Sequence, residues 1–183
     1  MNEIEKRIGN IEAIQDINQC LTRYCRALDW SDEDLLKTCF LEDGHIDYGF
    51  YVGDAKGFIP VVIEVEKNSH TWHNISNVAI ELKNNKAEVE SYGFTAGGEV
   101  IDKQIKDITI YLGRYHDEFT NTDQGWKISR RLYILDATFP VTSGEVMDAI
   151  KGLSLGVDLR SNSDKYRRLS VSYTHLTLPT NRE

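Results

Sequence analysis

A chain of 183 residues, 40% of them hydrophobic, can bury one sizeable core and is short for two domains. Its 21 basic residues are outnumbered by 29 acidic ones, and no basic run exceeds Arg130-Arg131 or Arg167-Arg168, which argues against a phosphate-backbone footprint and hence a nucleic-acid partner. No apolar run reaches the ~20 residues that span a bilayer, and Met1-Asn2-Glu3-Ile4-Glu5 lacks a basic-then-apolar signal, so a cytoplasmic protein with no membrane partner is expected.

From the N-terminus, Ile4, Ile8, Ile11, Ile14, Ile17, Leu21, Tyr24 and Leu28 recur at steps of three and four, the stripe of a long amphipathic helix over 3–28. Ser31, three residues before Asp34, reads as the N-cap of a second helix over 31–41 with Leu35, Leu36, Cys39 and Phe40 inward, closed by Asp43-Gly44. His45 to Val52 reads as a strand, and 57–67 as a third helix with Pro60 near its first turn and Ile59, Val62 and Ile63 inward. Beyond Ser69 the period shortens to two. Trp72–Leu82, Lys86–Ala96, Val100–Phe119 and Trp126–Phe139 read as strands of an antiparallel meander, with turns at Asn84-Asn85, Gly97-Gly98 and Asn121–Gly125. The expected fold is α+β, a curved antiparallel sheet forming a cone against three N-terminal helices with a central pocket. Cys20, Cys25 and Cys39, an odd number without C-x-x-C spacing, read as small buried residues and not as a disulfide or zinc framework.

Residues 141–170 carry little periodicity and read as a C-terminal extension. The tail from Val171 through Ser172-Tyr173-Thr174-His175-Leu176-Thr177-Leu178-Pro179-Thr180 resembles a translated sequencing-library adapter, so 171–183 is set aside as non-native and His175 receives no role.

Five stretches then carry a family resemblance in order: "RYCRALDW", "CFLEDGHIDYG", "TWHNISN", "GRYHDEF" and "GWKISRRLYILD". Together they resemble SnoaL-like proteins of the nuclear-transport-factor-2-like superfamily over about residues 10–140, nearest to its bile-acid dehydratase and scytalone dehydratase branch. The resemblance implies a tyrosine at Tyr24 that polarises a substrate carbonyl, an aspartate at Asp29, and a catalytic histidine at His73. His73 is preferred to His70, which falls in the polar loop before the strand. His45 and His116 read as structural, and Tyr48 either as a second hydroxyl for substrate binding or as core packing.

By themselves Tyr24 reads as a core phenol and His73 as a surface or packed residue; the resemblance is what gives them a catalytic role, and the residues suit it. A carboxylate at the C-terminal end of a helix opposes the macrodipole, so Asp29 calls for a specific partner, and an imidazole would be one. Read as an uninterrupted strand, "TWHNISN" puts His73 on the face of Ile75, Asn77 and Ala79. A neutral histidine can remove a proton α to a carbonyl and return it to a leaving hydroxyl, with Tyr24 stabilising the enolate and neither metal nor organic cofactor required. The expected function is a cofactor-independent dehydratase, a hydro-lyase, acting on a hydrophobic β-hydroxy-carbonyl compound, steroid-like or polycyclic. An isomerase or cyclase in the same pocket, or a module that only binds a small ligand, would keep the same frame. One departure stands out: the strand on which dehydratases of this branch carry a further acid or histidine reads Ser91-Tyr92-Gly93-Phe94-Thr95-Ala96-Gly97-Gly98, with neither. One of Arg130 and Arg131 is expected to occupy the place of a family arginine. Apolar residues on both faces of the strands from Val100 to Phe139 predict a homo-oligomer, and the family resemblance implies a homodimer or homotrimer.

Overall fold

The structure, a computed structural model, describes residues 2–101 and 104–141, which belong to a unit spanning Met1–Val146. The expected extension and the adapter-like tail lie outside the described residues, apart from residue 141. The element order is α1 (Glu3–Asp29), α2 (Glu33–Lys37), β1 (Phe40–Asp47), β2 (Val52–Asp54), α3 (Ala55–Lys67), β3 (Ser69–Lys83), β4 (Lys86–Ile101), β5 (Gln104–Thr122) and β6 (Gly125–Val141). Among the described residues no helix is long and apolar enough to cross a membrane.

Helix α1 starts on a capping box. The Asn2 side chain accepts from the Glu5 amide at 2.8 Å, and the Glu5 carboxylate accepts from the Asn2 amide at 2.7 Å, which satisfies two orphan donors of the first turn. Its stripe divides in two. Ile17, Cys20, Leu21, Tyr24, Ala27 and Leu28 are buried, whereas Ile4, Ile8, Ile11 and Ile14 are exposed among the described residues. The second helix is shorter than its pattern suggests. Ser31 takes φ +50° in the link, and the N-cap is Asp32, whose carboxylate accepts from the Leu35 amide. Cys39 and Phe40, expected on that helix, begin instead the run into β1, and both are fully or almost fully buried. The single strand expected at 45–52 is a hairpin, β1 pairing antiparallel with β2 through His45↔Asp54 and Asp47↔Val52. Asp54 then caps α3 by accepting from the Gly57 amide at 2.7 Å, so the helix starts two residues earlier than expected and Pro60 is its sixth residue. The α3 stripe is Ala55, Phe58, Ile59, Val62, Ile63 and, at its end, a carboxylate, Glu66.

The six strands form one curved, unclosed sheet in the order β2-β1-β6-β5-β4-β3. β3 to β6 are an antiparallel meander and β1 runs parallel to β6. The glycine pair Gly97-Gly98 is not a turn. It lies inside β4 at a register shift against β5, and pairing continues to Ile101↔Gln104. Residues without side chains are compatible with a bulge as well as with a turn, and pattern alone cannot separate the two.

Register shifts decide which side chains enter the cone. In β3, Ser76 pairs with Tyr92 and Ala79 with Glu90, so two residues, Asn77 and Val78, face the one residue Ser91. The alternation reverses there. His73 and Ile75 point to the same side as Val78, Ile80 and Leu82, while Asn77 and Ala79 are exposed, contrary to an uninterrupted strand. Without the bulge the imidazole would lie on the opposite face from the apolar row. Asn77 makes it possible by adopting φ +50°, a conformation asparagine tolerates and β-branched residues resist. Asn77→Val is therefore expected to lower stability by about 1–2 kcal/mol, seen as a lower urea midpoint, and Asn77→Gly to leave it nearly unchanged. The same device acts in β6, where Glu118↔Arg130 and Phe119↔Ile128 leave Ser129 as the extra residue, so that Ile128 and Arg131 both face inward.

Candidate active site

Two groups of polar side chains lie within the core, both reached from α1. Asp29 ends the helix and Tyr24 lies on its buried stripe, five residues earlier. The Asp29 carboxylate accepts twice from His73 at the start of β3: from the backbone N–H at 2.9 Å and from Nδ1 at 2.8 Å. This gives the anion at the unfavourable helix end its partner. A carboxylate only accepts, so Nδ1 carries the hydrogen and Nε2 is left with its lone pair directed elsewhere. Beyond the ring stands Glu66, from the last turn of α3. Its Oε1 is 4.0 Å from Nε2, and its Oε2 accepts from the Thr71 hydroxyl at 2.6 Å.

His73 also borders a cavity of about 220 Å³ between α1 and β3. Asn18, Leu21, Thr22 and Cys25 line it from α1 at helical i, i+3, i+4, i+7 spacing, with Asn74, Ile75 and Val78 from β3. Cys25 is no nucleophile there, because burial and then the nearby Asp29 charge push its thiol up to about 12. A more open hollow of about 470 Å³ is lined by Glu81, Glu88, Glu90, Glu118 and Arg130, among others, and includes none of the candidate residues.

The second group surrounds Arg131, which is fully buried. Its Nε and Nη2 donate to both oxygens of Asp117 at 2.8 and 2.7 Å, also fully buried. The guanidinium lies 4.2 Å from the centre of the Tyr24 ring and 4.4 Å from that of Tyr115, a cation between two aromatic faces. Burial works against the Arg131 charge, yet the Asp117 carboxylate, with Tyr48 and Tyr24 beside it, outweighs burial and holds the pKa above its ordinary value. Arg131 is thus the inward member of the arginine pair, and Arg130 faces outward toward Glu118. The Tyr24 hydroxyl hydrogen-bonds that of Tyr48, whose ring stacks between Phe58 at 4.9 Å and Tyr133 at 5.0 Å. Burial first, then the neighbouring phenols Tyr115 and Tyr48, push the Tyr24 pKa well up, and burial raises Tyr48 and Tyr115 as well. These phenols are neutral O–H donors at any physiological pH.

The four residues singled out by sequence therefore form two hydrogen-bonded pairs, Asp29 with His73 and Tyr24 with Tyr48. Adjacent helix residues divide them: Cys25 lines the His73 cavity, and Tyr24, about 100° round the helix, enters the tyrosine group. Among the other histidines, His45 is exposed, and His116 faces Glu90 at 3.6 Å and lines the outer hollow. Sequence reasoning missed Glu66, Asp117, Tyr115 and Tyr133. Glu66 had a signal, because it extends the i, i+3, i+4 stripe of Ile59, Val62 and Ile63 and so falls on a buried face. Tyr115 and Asp117 lie two apart in "GRYHDEF", which puts both on the inward face. Diagonally across from Tyr115 on β4, Gly93 leaves room for the ring: a Cβ there would come within 2.7 Å of Tyr115 Cε2.

An α+β cone with a carboxylate-held histidine beside a cavity defines a class of small-molecule site that many chemistries share. The particular family follows from sequence: residues 9–132 match the SnoaL-like domain, and the chain belongs to that family. No curated protein sequence matches the chain. Similar solved structures include a candidate scytalone dehydratase from Novosphingobium aromaticivorans, at 20% identity and TM-score 0.63, covering 77% of this chain and 93% of that one. The hexachlorocyclohexane dehydrochlorinase LinA-type3 from Novosphingobium barchaimii is similar at 17% identity and TM-score 0.62, covering 77% and 96%. Kfla4162 from Kribbella flavida is similar at 14% identity and TM-score 0.64, covering 71% and 95%. At such identities the likeness establishes the fold alone.

Proposed function

We propose that the protein is a cofactor-independent dehydratase of a hydrophobic β-hydroxy-carbonyl compound, with His73 as the acid–base residue. The single observation that carries this reading is the 2.8 Å contact between His73 Nδ1 and Asp29 beside a cavity. Asp29 fixes the tautomer that leaves Nε2 basic and stabilises the imidazolium once a proton arrives. In the reaction Nε2 takes the proton α to the carbonyl, and the C–H electrons move into the enolate. The C–O bond at the β carbon then breaks and the departing hydroxyl takes the proton from Nε2 as water. The named relatives, a candidate scytalone dehydratase and a dehydrochlorinase, support an elimination of this kind. On this reading Tyr24, hydrogen-bonded to Tyr48 and beside Arg131, is the donor to the carbonyl oxygen, which requires the substrate to extend from the His73 cavity to the tyrosine group on the adjoining face of α1. A cavity of about 220 Å³ lies below the roughly 300 Å³ at which pockets for drug-sized ligands begin, which favours a substrate of one or two rings over a full steroid skeleton.

The test is incubation with a panel of cyclic β-hydroxy ketones and their thioesters, read by mass spectrometry for loss of water. Absence of conversion across the panel, with ligands bound, would leave only a binding module. For a productive substrate, Tyr24→Phe is expected to lower kcat by about 10²–10³-fold through loss of one oxyanion donor, with KM little changed. Asp29→Asn is expected to retain binding and slow turnover, because the amide cannot stabilise imidazolium.

The same reading includes self-association through the outer sheet face. Phe94 pairs with Leu112 there, both exposed, with exposed Tyr92 nearby. A homodimer or homotrimer is the expected sedimenting species at micromolar concentration, and a monomer would refute it.

A further inference from the structure

Glu66 places a second carboxylate on the imidazole. It is 7% exposed, it closes an otherwise apolar helical stripe, and it reaches the ring from α3, whereas Asp29 reaches it from α1. β3 holds the arrangement at two points: Thr71 donates to Glu66 Oε2, and His73, two residues on and so on the same face, is held by Asp29. Pairing on the other side brings no acid, because Thr95 is the β4 partner of His73, with Gly93 and Gly97 beside it on the same row. The acid missing from "SYGFTAGG" thus has a counterpart on the third helix.

The separation of Nε2 and Oε1, 4.0 Å, is too long for a hydrogen bond between them. It matches a bridged pair. An oxygen about 2.8 Å from each atom subtends an angle of about 90° between them, close to what a hydroxyl offers between its O–H bond and a lone pair. We propose that Glu66 Oε1 and His73 Nε2 form a subsite for one ligand hydroxyl, which is, on the dehydratase reading on which this rests, the hydroxyl lost as water. The hydroxyl donates its hydrogen to Glu66, which stays a carboxylate throughout. Its oxygen then faces Nε2, a contact with little attraction while Nε2 carries a lone pair and a favourable one once Nε2 holds the α proton. The interaction therefore strengthens as the reaction proceeds, the condition for lowering a barrier and not merely for binding. Because one imidazole removes the proton and returns it to the hydroxyl, both depart from the same face, a syn elimination.

The probes are a bicyclic β-hydroxy ketone and its counterpart lacking the hydroxyl, titrated separately into the full chain and read by calorimetry. The wild type is expected to bind the hydroxylated probe about 10-fold more tightly, the usual worth of a charge-assisted hydrogen bond after desolvation. Glu66→Leu should bring the ratio to about one without weakening the probe that lacks the hydroxyl. Thr71→Val, which removes only the anchor of Glu66, should leave most of the preference. Should Glu66→Leu not fold, Glu66→Gln keeps the shape and should still reduce the ratio at least about 3-fold, because an amide oxygen is a weaker acceptor than a carboxylate. No preference in the wild type, or a ratio unchanged in the Glu66 variant, overturns the subsite. The conversion assay is read apart from this: water loss with an unchanged ratio keeps the dehydratase and removes the subsite, while a Glu66-dependent ratio without water loss keeps the subsite and removes the dehydratase.

Discussion

Asp117→Leu is expected to lower stability by about 3–5 kcal/mol, because it leaves the Arg131 guanidinium charged, fully buried and without its bidentate acceptor. The guanidinium is fully buried, so bulk solvent does not replace the lost partner. The two aromatic faces at 4.2 and 4.4 Å recover only part of the loss, since cation–π contacts contribute about 0.5–2 kcal/mol each. Nη1 has no hydrogen-bond partner among the described residues even with Asp117 present. The double variant Asp117→Leu with Arg131→Met is expected to recover most of the loss, because it removes both charges and fills similar volume with apolar atoms. Urea unfolding of the two variants measures this. A single variant within about 1 kcal/mol of the wild type would show that the ion pair is not what makes removal of Asp117 costly.

That ion pair also marks where the sequence stopped being legible. The helices were readable because each carries its own stripe at 3.6 residues, although the cap of α2 is Asp32 and not the expected Ser31. The meander was readable from alternation and from Asn84-Asn85. Facing was not, wherever one inserted residue reverses the alternation. Arg131 faces inward because Ser129 is the extra residue of β6, and His73 shares a face with Val78 because of Asn77. A bulge forms when it improves the fit of a strand to partners that are distant in the chain, so its position depends on residues outside any local window. Glycines mislead for the same reason, as Gly97-Gly98 does inside β4. For the site, Asp29 and His73 were legible as a pair through a helix-end carboxylate in want of a partner. Glu66 was not, because its contact with His73 depends on the angle at which α3 meets β3.

His73→Ala is expected to lower turnover by about 10²–10⁴-fold on a productive substrate, the range that a positioned acid–base residue contributes. Folding should survive the change. Asp29 keeps the backbone N–H of residue 73 at 2.9 Å, so the carboxylate at the end of α1 loses the imidazole donor and is not stranded. The side chain also borders a cavity, so its removal enlarges an existing space and opens no new void in packed core. Loss should therefore appear in kcat, with a urea midpoint close to wild type. The double variant with Asp29→Asn separates the two roles. If Asp29 acts by orienting and stabilising the imidazolium, its substitution should cost little more once the imidazole is absent, so the two effects will be far from additive. Additive losses would mean that Asp29 acts on the substrate independently of His73. A His73→Ala enzyme with wild-type turnover would remove the histidine from the chemistry altogether, and with it the dehydratase mechanism built on its Nε2.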